Sequence, residues 1–277
     1  MKIRLVVVAA LAVAATACSR PGSEDRAFQW TTDLPAGAVV HLRNGAGDIA
    51  VRRAPGQTVQ VNGSRSWRRS RRNDVRFVVT QSGNNEYYVC AMWRASGRCG
   101  ASGYRGRQTS TFLSMFSLFR RGNDASADFV AEIPANVVVD ARTTLGSVQI
   151  DGMASGVTAR TSNGTVQASN VSGPLSLTST NGNIELSAAD ALSPSDEIRL
   201  TTTNGSIRAE LPAGVDGNFD LSVMNGAVQS DLSLPATSKS RRGGHLQGQI
   251  GSSNRVVKMR AVSGMVSLKT RATPATH

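Results

Sequence analysis

From Val139 to Leu268, apolar side chains alternate with polar ones in short runs that break at glycine. LSLTSTNGNIEL from Leu175, IRLTTTNGSIRA from Ile198 and FDLSVMNGAVQS from Phe219 are each two alternating runs around Asn-Gly. Counted from Asn181, apolar or small residues stand six, four and two positions before it: Leu175, Leu177 and Ser179. Two more, Ile184 and Leu186, stand three and five positions after it. The same places around Asn204 hold Ile198, Leu200, Thr202, Ile207 and Ala209, and around Asn163 they hold Val157, Ala159, Thr161, Val166 and Ala168. A period of two puts successive side chains on opposite faces and predicts strands rather than helices. The intervening places carry Arg, Gln, Glu, Asn and Ser, so one face of each strand is wet.

Weaker copies extend the array. They are VVVDARTTLGSVQI around Gly146, VKMRAVSGMVSL around Gly264 and VVHLRNGAGDIAV around Gly47, which makes seven copies with the one at Asn225. Glycine at each break supplies the positive φ of a tight turn. Two all-β architectures share this pattern. In stacked β-hairpins, Asn-Gly pairs the two flanking strands with each other. In a β-solenoid, Asn-Gly is a corner and each copy stacks on the next. The glycines at 146, 164, 182, 205 and 226 keep near-constant spacing, and a second corner recurs at Ser155-Gly156 and Ser172-Gly173. Both features favour the β-solenoid, with Met153 and Val171 facing inward beside the second corners.

The first segment lies outside this pattern. Lys2 and Arg4 precede an apolar run from Leu5 to Val13, then Ala15-Thr16-Ala17 before Cys18. This is the order of a secretory signal peptide over residues 1–17. Ala15 to Cys18 resembles the lipobox of bacterial lipoproteins, with Ala15 in place of the usual Leu. The resemblance implies acylation at Cys18, a polar tether over 18–28 and an anchor in the envelope. Ser19 rather than Asp after the cysteine points to the outer membrane under the enterobacterial sorting rule. The same residues also satisfy an ordinary signal peptidase, which would leave a free thiol. Export suits the two remaining cysteines: Cys90 and Cys99, with eight residues between them, are expected to form a disulfide, the alternative being two buried thiols.

The quoted copies, the opening FQWTTDLPAGAVVHLRNGAGDIAVRRAPG, the stretch with YYVCAMW and the closing GGHLQGQIG together resemble the putative-adhesin, β-strand-repeat family, the domain of unknown function 4097 type. The resemblance implies a β-strand-repeat domain over residues 29–270, followed by a tail at 271–277. It brings no catalytic residues with it.

An insertion at 62–128 interrupts the array. Within it, VRFVVTQ and EYYVCAM alternate like two strands around SGNN. The chain carries a net charge of +12, and twelve arginines against two acids fall between Arg65 and Arg121. Arg65, Arg68, Arg69, Arg71 and Arg72 surround Trp67, and Arg120-Arg121 ends a helical stripe of Phe112, Met115, Phe116 and Phe119. This density of cations is expected to meet an anionic lipid, lipopolysaccharide or glycan. No specific nucleic acid is predicted.

Chemistry-bearing patterns are sparse. His41, His245 and His277 stand at no metal-ligand spacing, the acids are scattered over turns and outward places, and no Gly-x-Ser-x-Gly, P-loop or dinucleotide motif occurs. The expectation is a non-enzymatic interaction module without a cofactor. A β-helix enzyme acting on polysaccharide and a structural assembly subunit are the alternatives.

Overall fold

The alternation becomes nineteen strands in a computed structural model that describes residues 28–67, 75–83, 85–93, 97–106, 125–234, 236–239 and 243–271. In chain order they are β1 (Phe28–Asp33), β2 (Val39–Arg43), β3 (Ile49–Arg53), β4 (Thr58–Ser66), β5 (Arg76–Ser82), β6 (Glu86–Met92) and β7 (Ser126–Ile133). The central series is β8 (Val138–Leu145), β9 (Val148–Asp151), β10 (Val157–Asn163), β11 (Val166–Val171), β12 (Leu175–Asn181), β13 (Ile184–Ala188), β14 (Glu197–Asn204) and β15 (Ile207–Leu211). The last are β16 (Gly217–Ser230), β17 (Ala236–Lys239), β18 (Gly244–Ile250) and β19 (Val256–Thr270). No described residue is helical, and the strands form one large mixed sheet.

The two strands of a copy do not pair with each other, so the hairpin alternative fails for the central series. Each strand runs parallel to its counterpart in the next copy. Leu177 of β12 lies beside Ala159 on one side and Leu200 on the other, and Ile184 of β13 lies between Val166 and Ile207. Two ladders result, joined at the glycine corners. The front ladder runs β2, β8, β10, β12, β14, then the first half of β19 and of β16. The back ladder runs β3, β9, β11, β13, β15, then the second halves of the same two strands. Their inward residues form one core. Leu177, Ile184, Leu186, Leu200, Ile207 and Leu221 are all buried in it, together with Met153 and Val171 at the second corners. Each such side chain contributes roughly 1.5–3 kcal/mol by leaving water.

The stack departs from chain order at both ends. The final strand, β19, inserts between β14/β15 and β16, so the copy at Asn225 is outermost. At the other end β6, from the insertion, and β7, which follows it, form a layer beneath β2 and β3. Antiparallel strands then close the ends: β4 on β7 with β1 on β4, β5 on β6, and β18 on β16 with β17 on β18. The insertion end is filled by aromatic rings. Phe77 stacks on Phe28 at 4.9 Å and meets Phe129 edge-on at 5.3 Å, while Trp30 lies 5.8 Å from Tyr87. A parallel stack exposes apolar core at its termini, and these layers cover it.

The corners are built to one plan. Gly182 has φ +154°, and a Cβ there would lie 1.9 Å from the carbonyl oxygen of Gly164. Glycine is therefore required twice over, for its backbone angle and for the close approach of the neighbouring copy. The place two before each corner, read from sequence as small core, is a hydrogen-bonding site. Thr143, Thr161, Ser179 and Thr202 each donate a hydroxyl proton to the corner-glycine carbonyl of the copy before. Outside the corner, Asn204, Asn181 and Asn163 form an amide ladder at 2.9 and 3.0 Å.

Candidate functional site

Cys90 and Cys99 are joined in a disulfide that ties the 97–106 loop to β6. The loop is held further by Tyr104, whose hydroxyl donates to the Ala91 carbonyl at 2.7 Å, and by the Thr80 hydroxyl donating to the Cys99 carbonyl at 2.9 Å. Beneath it lies a cleft of about 460 Å³, lined by His41, Arg43, Tyr88, Asp140, Arg142 and the Gly100–Gly103 turn among others.

Strand register assembles this cleft from residues far apart in sequence. His41 of β2 stands between Tyr88 of β6 and Asp140 of β8, and Arg43 stands beside Arg142. The rings of His41 and Tyr88 stack at 4.2 Å. Asp140 Oδ2 accepts from Arg43 Nη2 at 2.5 Å and from Arg142 Nη2 at 3.0 Å, and Oδ1 accepts from Arg142 Nε at 2.8 Å. Arg43 Nη1 also donates to the Asp140 carbonyl at 2.7 Å. His41 Nδ1 lies 3.0 Å from both the Asp140 carboxylate and Arg43 Nη2. A carboxylate only accepts and a guanidinium only donates, so Nδ1 serves one of them at a time. Its Nε2 is buried with no protein partner among the described residues. Burial pushes the Asp140 carboxyl up, but hydrogen bonds and charge from His41, Arg43 and Arg142 outweigh this and hold it well below the usual carboxylate range. Asp140 is thus a fixed anion that orients two guanidinium groups. Arg43 is sealed in, whereas the Arg142 side chain is 45% exposed and presents its outer edge to the cleft.

A smaller cluster repeats this arrangement near the other end of the front ladder. Asp220 accepts from His245 Nε2 at 3.0 Å and from Arg260 Nη2 at 2.9 Å. Burial raises its carboxyl less than those two partners lower it. Over the back ladder an open polar trough of about 610 Å³ is lined by Gln167, Glu185, Arg208, Glu210, Ser267 and Lys269 among others.

The residues expected from sequence to meet an anion are placed unevenly. Arg65 donates from Nη1 to the Val75 carbonyl at 2.9 Å, with its guanidinium over the Phe77 ring at 5.8 Å. Trp67 packs against the core. Both are therefore committed to the insertion end of the stack. Arg68, Arg69, Arg71, Arg72, Arg120 and Arg121 lie outside the described residues, as do Cys18 and the Phe112–Phe119 stripe. The insertion aromatics Tyr87 and Trp93 are half-buried against the core, and Tyr88 packs in the disulfide cluster. Alternation along β2 sends His41 outward, and the 99-residue separation in sequence hides its contact with Asp140. Asp196, one of the acids scattered over turns, is buried and accepts from the backbone amides of Ser193 at 2.8 Å and Gly173 at 3.2 Å.

The model of the Toastrack family, DUF4097, matches residues 133–269. Among solved structures, a putative cell adhesion protein of Clostridium sporogenes aligns at 12% identity with a TM-score of 0.46, over 89% of this chain and 100% of that one. A putative adhesin of Bacteroides fragilis aligns at 11% identity with a TM-score of 0.34, over 89% and 97% respectively. No curated protein matches the chain. Residues 133–269 of the chain thus match the Toastrack family, DUF4097.

Proposed function

We propose that this protein is a non-enzymatic interaction module of the cell envelope, of adhesin type, built as a β-solenoid of seven strand–corner–strand copies and held to the outer membrane by acylation of Cys18. The observation that carries the reading is the pair of outward sheet faces. On β10, β12 and β14, and on β11, β13 and β15, the outward side chains are polar or charged, and among the described residues the main contacts of these strands are with their ladder neighbours. A rigid core thus displays fixed columns of polar groups, which suits recognition of an extended partner. The disulfide fits an exported protein, since such bonds persist in oxidising compartments. The Arg65–Arg72 segment with Arg120 and Arg121 adds a concentrated positive charge suited to anionic lipid, lipopolysaccharide or glycan.

The test is binding of the protein to anionic vesicles and to lipopolysaccharide across a salt series. Attachment should weaken as salt rises, because screening shortens the reach of each charge. Replacing Arg68, Arg69, Arg71 and Arg72 by Ser should remove most of it without altering the fold. Binding indifferent to both changes would remove the insertion from the interaction. The anchor is tested separately: Cys18→Ala should abolish partition into the membrane fraction.

One observation favours the structural-subunit reading as a second possibility. In the back ladder the Gly226–Ser230 half of β16 is the outermost strand among the described residues, since β18 pairs only with Gly217–Val223. An open edge can accept a strand from another copy. Concentration-dependent growth in sedimentation would favour that assembly, and a strict monomer would remove it.

A further inference from the structure

The repeats are nearly neutral as a whole, but their charge is not evenly shared between the two faces. The front-ladder strands β2, β8, β10, β12, β14 and the first halves of β19 and β16 carry Arg142, Arg160, Arg199, Lys258, Arg260 and the buried Arg43 against Asp140, Glu197 and Asp220. The matching back-ladder strands carry Arg52, Arg53, Arg208 and Lys269 against Asp151, Glu185 and Glu210. The front excess is also lined up. Arg142 and Arg160 are direct register partners on neighbouring strands, and so are Arg199 and Lys258. Such neighbours sit about 4.8 Å apart between strands. Like charges directly opposite each other destabilise a sheet, and an anion lying across them removes the repulsion. Arg142 is paired with Asp140, Arg199 with Glu197 and Arg260 with Asp220, whereas neither Arg160 nor Lys258 forms an ion pair among the described residues, although Asp220 is the register partner of Lys258 on β16.

Between the two cation pairs the face is made of hydroxyls. Ser176 and Thr178 of β12 lie in register between Thr158 and Arg160 of β10 and Arg199 and Thr201 of β14. Arg160 and Arg199 are exposed, and Ser176, Thr178 and Thr201 are half-exposed. No Phe, Tyr or Trp occurs on these strands, so the face offers nothing to stack a base or to bury in a bilayer. It offers guanidinium and ammonium groups for carboxylates, with hydroxyls between them, along the stack axis.

We propose that the outer face of the front ladder binds a linear polyuronate-type glycan laid across the strands, its carboxylates on the Arg142–Arg160 and Arg199–Lys258 pairs and its hydroxyls on Ser176, Thr178 and Thr201. The proposal rests on the interaction-module reading and names a partner and a face for it.

The experiment is titration of the full chain, in mild detergent, with polygalacturonate oligomers at several salt concentrations. Neutral dextran, anionic vesicles, lipopolysaccharide and single-stranded DNA are titrated in parallel. Polygalacturonate should bind, dextran should not, and the affinity should fall with salt. The double variant Arg160→Ser/Lys258→Ser should lose about tenfold or more in affinity through two desolvated charge contacts, while its melting temperature stays the same or rises slightly. The double variant Arg208→Ser/Lys269→Ser, on the other face, should bind as the parent does. Three results would overturn the proposal: an absence of polygalacturonate binding, equal losses from the two double variants, or vesicles or DNA binding with the same dependence on Arg160 and Lys258. If polygalacturonate fails while lipopolysaccharide or vesicles still bind, this inference falls and the interaction-module reading stands. If no anion binds, both fall.

Discussion

The Thr161 hydroxyl donates to the carbonyl oxygen of Gly146, 2.7 Å away in the copy before its own. The bond ties two corners together and satisfies a carbonyl at the margin of the core. Thr161→Val keeps the shape and removes the donor, so it should cost about 1–2 kcal/mol. Thr158→Val, on the outward side of the same strand, should change stability by less than about 0.5 kcal/mol. Urea unfolding of both variants measures the difference, and equal costs would mean that the hydroxyl bond carries no net stability.

Corner glycines separate steric from conformational cost. Gly182→Ala forces a Cβ to within 1.9 Å of a backbone oxygen at φ +154°, and backbone cannot swing away as a side-chain end can. The expected loss is more than about 3 kcal/mol. Gly214 has φ +68° with nothing within 4 Å of the added atom, so Gly214→Ala should cost only about 1 kcal/mol from the backbone angle. Thermal midpoints of the two proteins should therefore differ by several degrees. A match between them would show that the stack relaxes around the corner.

The two sides of β14 should respond oppositely to truncation. Leu200 is 0% exposed, and Leu200→Ala should cost roughly 2–5 kcal/mol through lost burial and a residual cavity. Arg199 lies outward, paired with Glu197 at the surface, and Arg199→Ala should cost less than about 0.5 kcal/mol. Chemical denaturation resolves the two, and similar losses would contradict the alternation.

Acid should weaken the His41–Asp140 cluster. The folded carboxyl of Asp140 is held below its unfolded value of about 3.9. The folded state therefore keeps it ionised where the unfolded chain would bind a proton. This contribution is complete above about pH 4 and is lost as pH falls through the lower folded value. At pH 7, Asp140→Asn leaves the buried Arg43 without its counter-charge and should cost about 3 kcal/mol. The difference between variant and parent should narrow as pH is taken below 4. A gap independent of pH would show that Asp140 acts by packing or neutral hydrogen bonding alone.

Much of the fold could be read directly from the chain. The inward places at Leu177, Ile184, Leu200 and Ile207 follow from the period of two, because a pleated strand sends alternate side chains to opposite faces whatever surrounds it. The corners at Gly164, Gly182 and Gly205 follow from a local backbone need, and the Cys90–Cys99 disulfide from the short loop between the two cysteines. These features depend on residues close together in sequence, so one sequence suffices to find them.

The order of stacking could not be read that way. Sequence similarity among copies leaves both β16 and β19 open as neighbours for β14, and the structure places β19 inside and β16, paired on its other side with β18, outside. The same holds for the candidate sites. His41 meets Asp140, and Arg199 lines up with Lys258, through strand register set by which copy lies on which. Alternation told that these side chains face outward, but not what stands beside them. Lateral neighbours in a parallel stack come from distant parts of the chain, and their placement is decided by closing one shared core.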